Sequence, residues 1–230
     1  ACENQEKFNL SKLHLGANLC TQGKFDEGLD MIKQGLDMDK TCLKAHSTLL
    51  FHSNYSPNLS AEEIYSHYES FDNIFSKKFK DKWLPHTRSK EKRKLRIGYV
   101  SGDLFRSSLT RFMEPIFVNH DHTKFEIYAF ARSTKNDYMT SSIRSHCDGW
   151  VNTTNLSAEQ AALRIRDLDI DILIDLAGHT GAGDIDLEMF MHKPAPVSLS
   201  WWVGFGYTSG LSTIDYFLAD STLVPKDSNH

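Results

Sequence analysis

Across residues 10–50 apolar side chains recur every three or four positions, the spacing that lines one face of an α-helix. Gly23 interrupts the series where two antiparallel helices would turn, so the pattern predicts a helix hairpin. A turn cluster, Asn54-Tyr55-Ser56-Pro57-Asn58, precedes Ser60-Ala61-Glu62-Glu63, in which Ser60 and Glu63 stand at capping-box spacing. The helix expected from there to about residue 79 carries Tyr65, Tyr68, Phe71 and Phe75 at intervals of three and four, a packing stripe on a bridging element. After residue 94 short β-rich runs at 96–101, 125–132, 150–153, 172–176, 197–203 and 214–219 alternate with helical stretches at 109–118, 138–146, 158–168 and 185–191. That alternation, with all-apolar strands, predicts an α/β fold of βαβ units around a Rossmann-like parallel sheet of five or six strands. Three segments follow: 1–54, a helix hairpin; 55–94, a bridging helix and linker; and 95–230, the sheet.

Within the hairpin, Leu15, Gly16, Leu19, Gly23, Gly28, Ile32 and Gly35 fall at the spacing of a tetratricopeptide repeat, where small residues let paired helices approach. Gly28 and Gly35 replace the usual alanines, and Lys40 stands where the closing proline is expected. One repeat cannot bury its own face, so further repeats are expected upstream. The chain begins without methionine and stops soon after a strand, and both ends read as cut.

Ligands of parallel sheets gather at the carboxyl ends of the strands, which directs the search to loops beginning at Ser101, Gly178 and Gly204. The first, Ser101-Gly102-Asp103-Leu104-Phe105-Arg106-Ser107-Ser108, runs from strand to helix but has one glycine, so a dinucleotide cofactor is not supported. The second, Asp175-Leu176-Ala177-Gly178-His179-Thr180-Gly181-Ala182-Gly183-Asp184, is the most site-like. Its three glycines bring backbone N–H groups near a ligand, Thr180 offers a hydroxyl, and His179, an imidazole of the kind that titrates near neutrality, is a candidate catalytic residue. Asp175 is a candidate base, with a cap for the following loop as the alternative. The third, Gly204-Phe205-Gly206-Tyr207-Thr208-Ser209-Gly210, follows Trp201 and Trp202, one expected inward and one outward.

Composition narrows the classes. A net charge of -4 over 230 residues, with both signs interspersed, gives no basic stripe, so no nucleic-acid partner is expected. The basic run at 90–96 reads as a solvated linker. Cys2, Cys20, Cys42 and Cys147 form no C-x-x-C pair, which fits reduced thiols in a cytoplasmic compartment. No apolar stretch approaches the roughly 18 residues of a membrane span and no secretion signal opens the chain, so no membrane partner is expected. His120 and His122 flank Asp121 in a turn, and no further ligands come at zinc-site spacing, so no metal is expected.

Four strings complete the reading: R-I-G-Y-V-S-G-D at 96–103, I-L-I-D-L-A-G-H-T at 172–180, K-P-A-P-V at 193–197 and I-D-Y-F-L-A-D at 214–220. In order and spacing, behind the repeat-like hairpin, they resemble the amino-terminal lobe of the O-GlcNAc transferase and SPINDLY family. The resemblance implies a two-lobe GT-B glycosyltransferase that moves a sugar from UDP-GlcNAc to Ser or Thr of a protein acceptor, with inversion. It implies neither metal nor other cofactor, an acceptor met through the repeats, and a carboxy-terminal catalytic lobe, absent here, that holds the nucleotide. The 230 residues alone are then expected to be inactive. By motif the sugar-facing positions are Gly178, His179 and Thr180, with Val203 and Gly204 in the third loop, and Ser107 of the first loop is a further candidate for substrate binding. Ser107 occupies the place of a histidine usual in the family's first loop, and Trp202-Val203-Gly204-Phe205-Gly206-Tyr207-Thr208-Ser209-Gly210 lacks the family's proline. The alternatives are transfer of glucose or fucose, or an inactive interaction scaffold.

Overall fold

Gly23, at φ 80°, ends α1 (Cys2–Thr21), its N–H donating to the Cys20 carbonyl and that of Lys24 to the Leu19 carbonyl. The computed structural model describes residues 2–86, 93–180, 183–201 and 207–227, in two units, 1–78 and 79–230. In the first, α1 and α2 (Phe25–Met38) meet at Gly16 and Gly28. A methyl on Gly28 would stand 2.7 Å from the Gly16 carbonyl oxygen and 2.4 Å from Cys20 Sγ, so the crossing requires the absence of side chains. Leu13, Cys20, Leu29, Ile32 and Leu36 form the core there, completed by Ala45 and Leu49 of α3 (Leu43–Ser53).

The single hairpin expected over residues 10–50 is divided more finely. The Asp39 carboxylate accepts from the Thr41 N–H and hydroxyl, at 2.9 and 2.7 Å, an Asx turn that ends the apolar series before α3. The capping box forms as expected. Ser60 Oγ accepts from the Glu63 N–H and Glu63 accepts from the Ser60 N–H, starting α4 (Ala61–Phe75). Tyr68, Phe71 and Phe75 are buried with Ile64, whereas Tyr65 of the expected stripe is exposed. α4 lies in the first unit, and the division between units falls within the one-turn α5 (Lys77–Lys80).

Burial holds His46, His52 and His67 of this unit below the ordinary imidazole range, as it does His86, His120 and His192 of the second. Asp39 and Glu63 pull against that effect at His46 and His67, and Lys33 reinforces it at His67. Above a pH of about 6.5 these rings are neutral folded and unfolded alike, and stability is fully present. As pH falls through that value the unfolded chain takes up protons that the folded chain refuses, so stability is lost. Circular dichroism melts are expected to show a transition roughly 5 °C lower at about pH 5 than at about pH 7.5; an unchanged or higher midpoint would contradict it.

The second unit is a six-stranded sheet in the order β3-β2-β1-β4-β5-β6. Its strands are β1 (Leu95–Ser101), β2 (Phe125–Ala131), β3 (Gly149–Asn152), β4 (Ile172–Asp175), β5 (Val197–Ser200) and β6 (Tyr216–Phe217). Every neighbouring pair is parallel, and β1 and β2 run in register from Leu95↔Phe125 to Ser101↔Ala131, as the intervening helix requires. The helices are α6 (Ser108–Val118), α7 (Tyr138–Ser145), α8 (Ala158–Asp167) and α9 (Gly183–Met191). Three begin with reciprocal caps, Ser107 with Thr110, Asp137 with Thr140 and Ser157 with Gln160. Met113 and Phe117 of α6 and Ile143 of α7 share a core with Ile97, Tyr99, Ile127, Ala129 and Ile174 of the sheet, and α8 packs on α9. Among the described residues no helix is long and apolar enough to cross a membrane.

Candidate active site at the strand ends

Strand order reverses between β1 and β4, so their following loops flank the crevice where open parallel sheets bind ligands. These are the first and second loops singled out from the sequence. Asp175 ends β4 with no solvent exposure. Its Oδ1 accepts from the Ala177 and Gly178 N–H groups, both at 3.0 Å, and its Oδ2 from Gly178 at 3.2 Å and the Ser200 hydroxyl of β5 at 3.3 Å. A carboxylate so surrounded by donors curls the chain over itself, and Gly178 completes the curl at φ 52°, a left-handed conformation that costs glycine little. Asp175, considered as a base, is thus placed as the organiser of its loop, and the Gly178 N–H, expected to face a ligand, is turned inward to it.

Thr180 also folds back: its hydroxyl and N–H both donate to the Ala177 carbonyl, at 2.6 and 3.0 Å, leaving the hydroxyl oxygen to act towards a ligand as an acceptor. His179 is 5% exposed, and its Nε2 lies 2.8 Å from the Ser209 carbonyl oxygen. A carbonyl only accepts, so Nε2 carries a proton and donates. Burial drives this ring's pKa down to about 4, against the smaller opposing pull of the Ser209 carbonyl, so His179 is neutral at physiological pH. It ties the second loop to the third. Val203 and Gly204 lie outside the described residues, as does Trp202; Trp201 is half-buried against the main core of the sheet.

The first loop is equally well held. Ser101 Oγ accepts from the Asp103 N–H, Ser107 Oγ donates to the Asp103 carbonyl, and Thr110 Oγ1 donates to the Phe105 carbonyl. Ser107 spends its side chain as the N-cap of α6, accepting from the Thr110 N–H. From the next crossover Asp137 accepts the Arg106 N–H at 2.8 Å while capping α7, and the Thr140 hydroxyl donates to the Leu104 carbonyl at 3.0 Å. Donation first from Thr140 and then from Arg106 keeps the Asp137 carboxyl below the usual range. Sequence reasoning passed over Asp137 and Ser200. The D-x-x-T capping spacing was a readable signal for Asp137, whereas Ser200 reaches Asp175 only through the register of β5 on β4. Asp175, Gly178, His179 and Thr180 thus form one knot tied to β5 and to Ser209, and Ser107 lies in the loop after the neighbouring strand.

Comparison with known proteins matches this sheet to a described family. Residues 68–230 match the family described as Glycosyl transferase family 41. A probable UDP-N-acetylglucosamine-peptide N-acetylglucosaminyltransferase SPINDLY of Arabidopsis thaliana is 30% identical over 204 residues, 87% of this chain and 19% of that protein. A Caenorhabditis elegans UDP-N-acetylglucosamine-peptide N-acetylglucosaminyltransferase is 31% identical over 135 residues, 57% of this chain and 11% of its own length. The solved structure of a K341M mutant of Thermobaculum terrenum O-GlcNAc transferase superposes with a TM-score of 0.85 at 28% identity, over 92% of this chain and 40% of that one. The chain therefore spans about a fifth of the length of the Arabidopsis relative. With the match covering the whole parallel sheet and the loops at its switch point, this chain belongs to glycosyl transferase family 41.

Proposed function

We propose that this chain supplies the sugar-facing lobe of a protein O-linked N-acetylglucosaminyltransferase, which moves N-acetylglucosamine from UDP-GlcNAc to Ser or Thr hydroxyls of proteins. The observation that carries the reading is the Asp175-centred knot at the switch point of a sheet lying wholly inside the family match. The names of the relatives support the donor and the peptide acceptor. The nucleotide would be held by residues outside these 230, in keeping with the 40% of the Thermobaculum chain that they cover.

In the proposed reaction the acceptor oxygen attacks the anomeric carbon as its bond to the diphosphate breaks. The electron pair leaves with UDP, the hydroxyl proton passes to solvent or a base, and the configuration inverts. No metal is required. This lobe contributes position rather than proton transfer: Asp175 is saturated with donors, and burial drives the His179 pKa down to about 4, so neither is poised as a base. Their work is to hold the Gly178–Thr180 backbone and the third loop in one arrangement, and the barrier is sensitive to such placement.

His179→Ala removes the tie to Ser209 and is expected to lower transfer by the full-length protein more than tenfold, about 1.4 kcal/mol in the barrier. His179→Asn, with an amide N–H for the same carbonyl, is expected to recover part of it. Transfer by His179→Ala within about twofold of wild type would remove His179 from the account.

A further inference from the structure

The K-P-A-P-V string has no role in the site described so far, yet its first residue makes an unusual set of contacts. Lys193 adopts φ 47°, a left-handed backbone that residues with side chains avoid and that persists where the surroundings over-determine it. Its N–H donates to the Phe190 carbonyl at 3.0 Å, and its own carbonyl accepts from His86 Nε2 at 3.0 Å. The side chain, only 13% exposed, runs to the stretch between the third loop and β6, where Nζ donates to the Thr213 carbonyl at 2.9 Å and pairs with the Asp215 carboxylate. Asp215 in turn accepts from the Ser198 N–H of β5 at 2.8 Å, and its N–H donates to the Ser198 carbonyl at 3.0 Å.

The segment that Lys193 reaches is unusual too. Ser209, Leu211 and Thr213 are all buried although only one of them is apolar, so hydrophobic burial alone does not hold it down. Two side-chain donors from elsewhere in the chain grip its main chain near either end: His179 at the Ser209 carbonyl and Lys193 at the Thr213 carbonyl. An ammonium donating to a carbonyl and a carboxylate at low exposure is the stronger kind of hydrogen bond, and it joins the turn after α9 to the return of the third loop onto β6.

We propose that Lys193 is a positioning residue, a latch that anchors the end of segment 209–215 at the amino ends of β5 and β6, so that its other end, gripped by His179 at Ser209, is held in place beside the second loop. The proposal rests on the reading of these loops as the sugar-facing side of a transferase. Its left-handed backbone and its largely covered ammonium act on different things, and this allows a clean test. Lys193→Gly keeps the backbone conformation without strain and removes the ammonium, whereas Lys193→Arg keeps the charge.

Hydrogen exchange and steady-state kinetics of the full-length protein decide it. In Lys193→Gly the amides of Leu211, Asp215 and Leu218 are expected to exchange about tenfold faster while those of β1 and β4 are unchanged, since a local opening leaves the rest of the sheet closed. The KM for the sugar donor is expected to rise about tenfold with kcat within about twofold, and Lys193→Arg to restore both. Unchanged exchange in Lys193→Gly, uniform acceleration across the sheet, or a loosened segment with an unchanged KM would each overturn the proposal. If the wild-type protein transfers no sugar, the functional reading fails, and the exchange pattern still decides whether Lys193 holds the segment.

Discussion

Asp175→Ala is expected to cost the sheet unit about 3 kcal/mol or more and to reduce sugar transfer at least a hundredfold. The wild-type carboxylate is fully buried and serves the N–H groups of Ala177 and Gly178 and the hydroxyl of Ser200. Alanine leaves these donors facing a space from which water was excluded, and each buried donor without an acceptor costs roughly 1–3 kcal/mol. The loop can open to hydrate them, which limits the loss of stability but dismantles the arrangement of Gly178, His179 and Thr180. Asp175→Asn keeps one acceptor oxygen and is expected to lose about half as much stability. The melting midpoint for the alanine variant is expected to fall by roughly 10 °C. A fall of less than about 3 °C, with transfer preserved, would show that the loop does not depend on this carboxylate.

Gly28→Val is expected to destabilise the helical unit by roughly 3 kcal/mol, at the upper end for overpacking, because the obstacle is backbone as well as side chain. A first carbon at Gly28 already stands 2.7 Å from the Gly16 carbonyl oxygen and 2.9 Å from the Cys20 N, and valine adds two more carbons beyond it. Cys20 Sγ, at 2.4 Å, could turn away, but the Gly16 carbonyl belongs to α1 itself, so the two helices must separate. Separation would strip contacts from Leu13, Leu29 and Ile32. Chemical denaturation followed by helical circular dichroism checks this, and a midpoint within error of wild type would mean that the helices do not cross at these glycines.

The sheet was legible because its strands are continuous apolar runs, whose burial on both faces is what parallel packing demands. Five of the six begin within one residue of the expectation, and β6, expected from residue 214, begins at Tyr216, since Ile214 closes the turn from Leu211 and Asp215 turns its carboxylate back to the Ser198 N–H. The break at Asp39 was less legible. An Asx turn is built by one carboxylate and two donors and leaves the hydrophobic period on either side intact.

The second loop draws notice in the sequence through its glycines and its place after a strand, but the contacts inside it are not legible there. The Asp175 carboxylate also meets Ser200, which register alone brings alongside, and His179 stays neutral because the fold buries it, with Ser209, 30 residues away, accepting from its ring. Lys193 shows the same limit more sharply. Nothing in K-P-A-P-V announces a left-handed lysine whose ammonium ends beneath Thr213.

The central claim is tested most directly by incubating the full-length protein carrying this chain with a Ser- and Thr-rich acceptor peptide and, separately, UDP-GlcNAc, UDP-glucose and GDP-fucose, reading the peptide by mass spectrometry and the new linkage by NMR. Addition of one N-acetylhexosamine from UDP-GlcNAc in the β configuration is expected, undiminished by a metal chelator and lost in Asp175→Ala. Transfer confined to UDP-glucose or GDP-fucose, an α linkage, or no transfer from any of the three donors would contradict it.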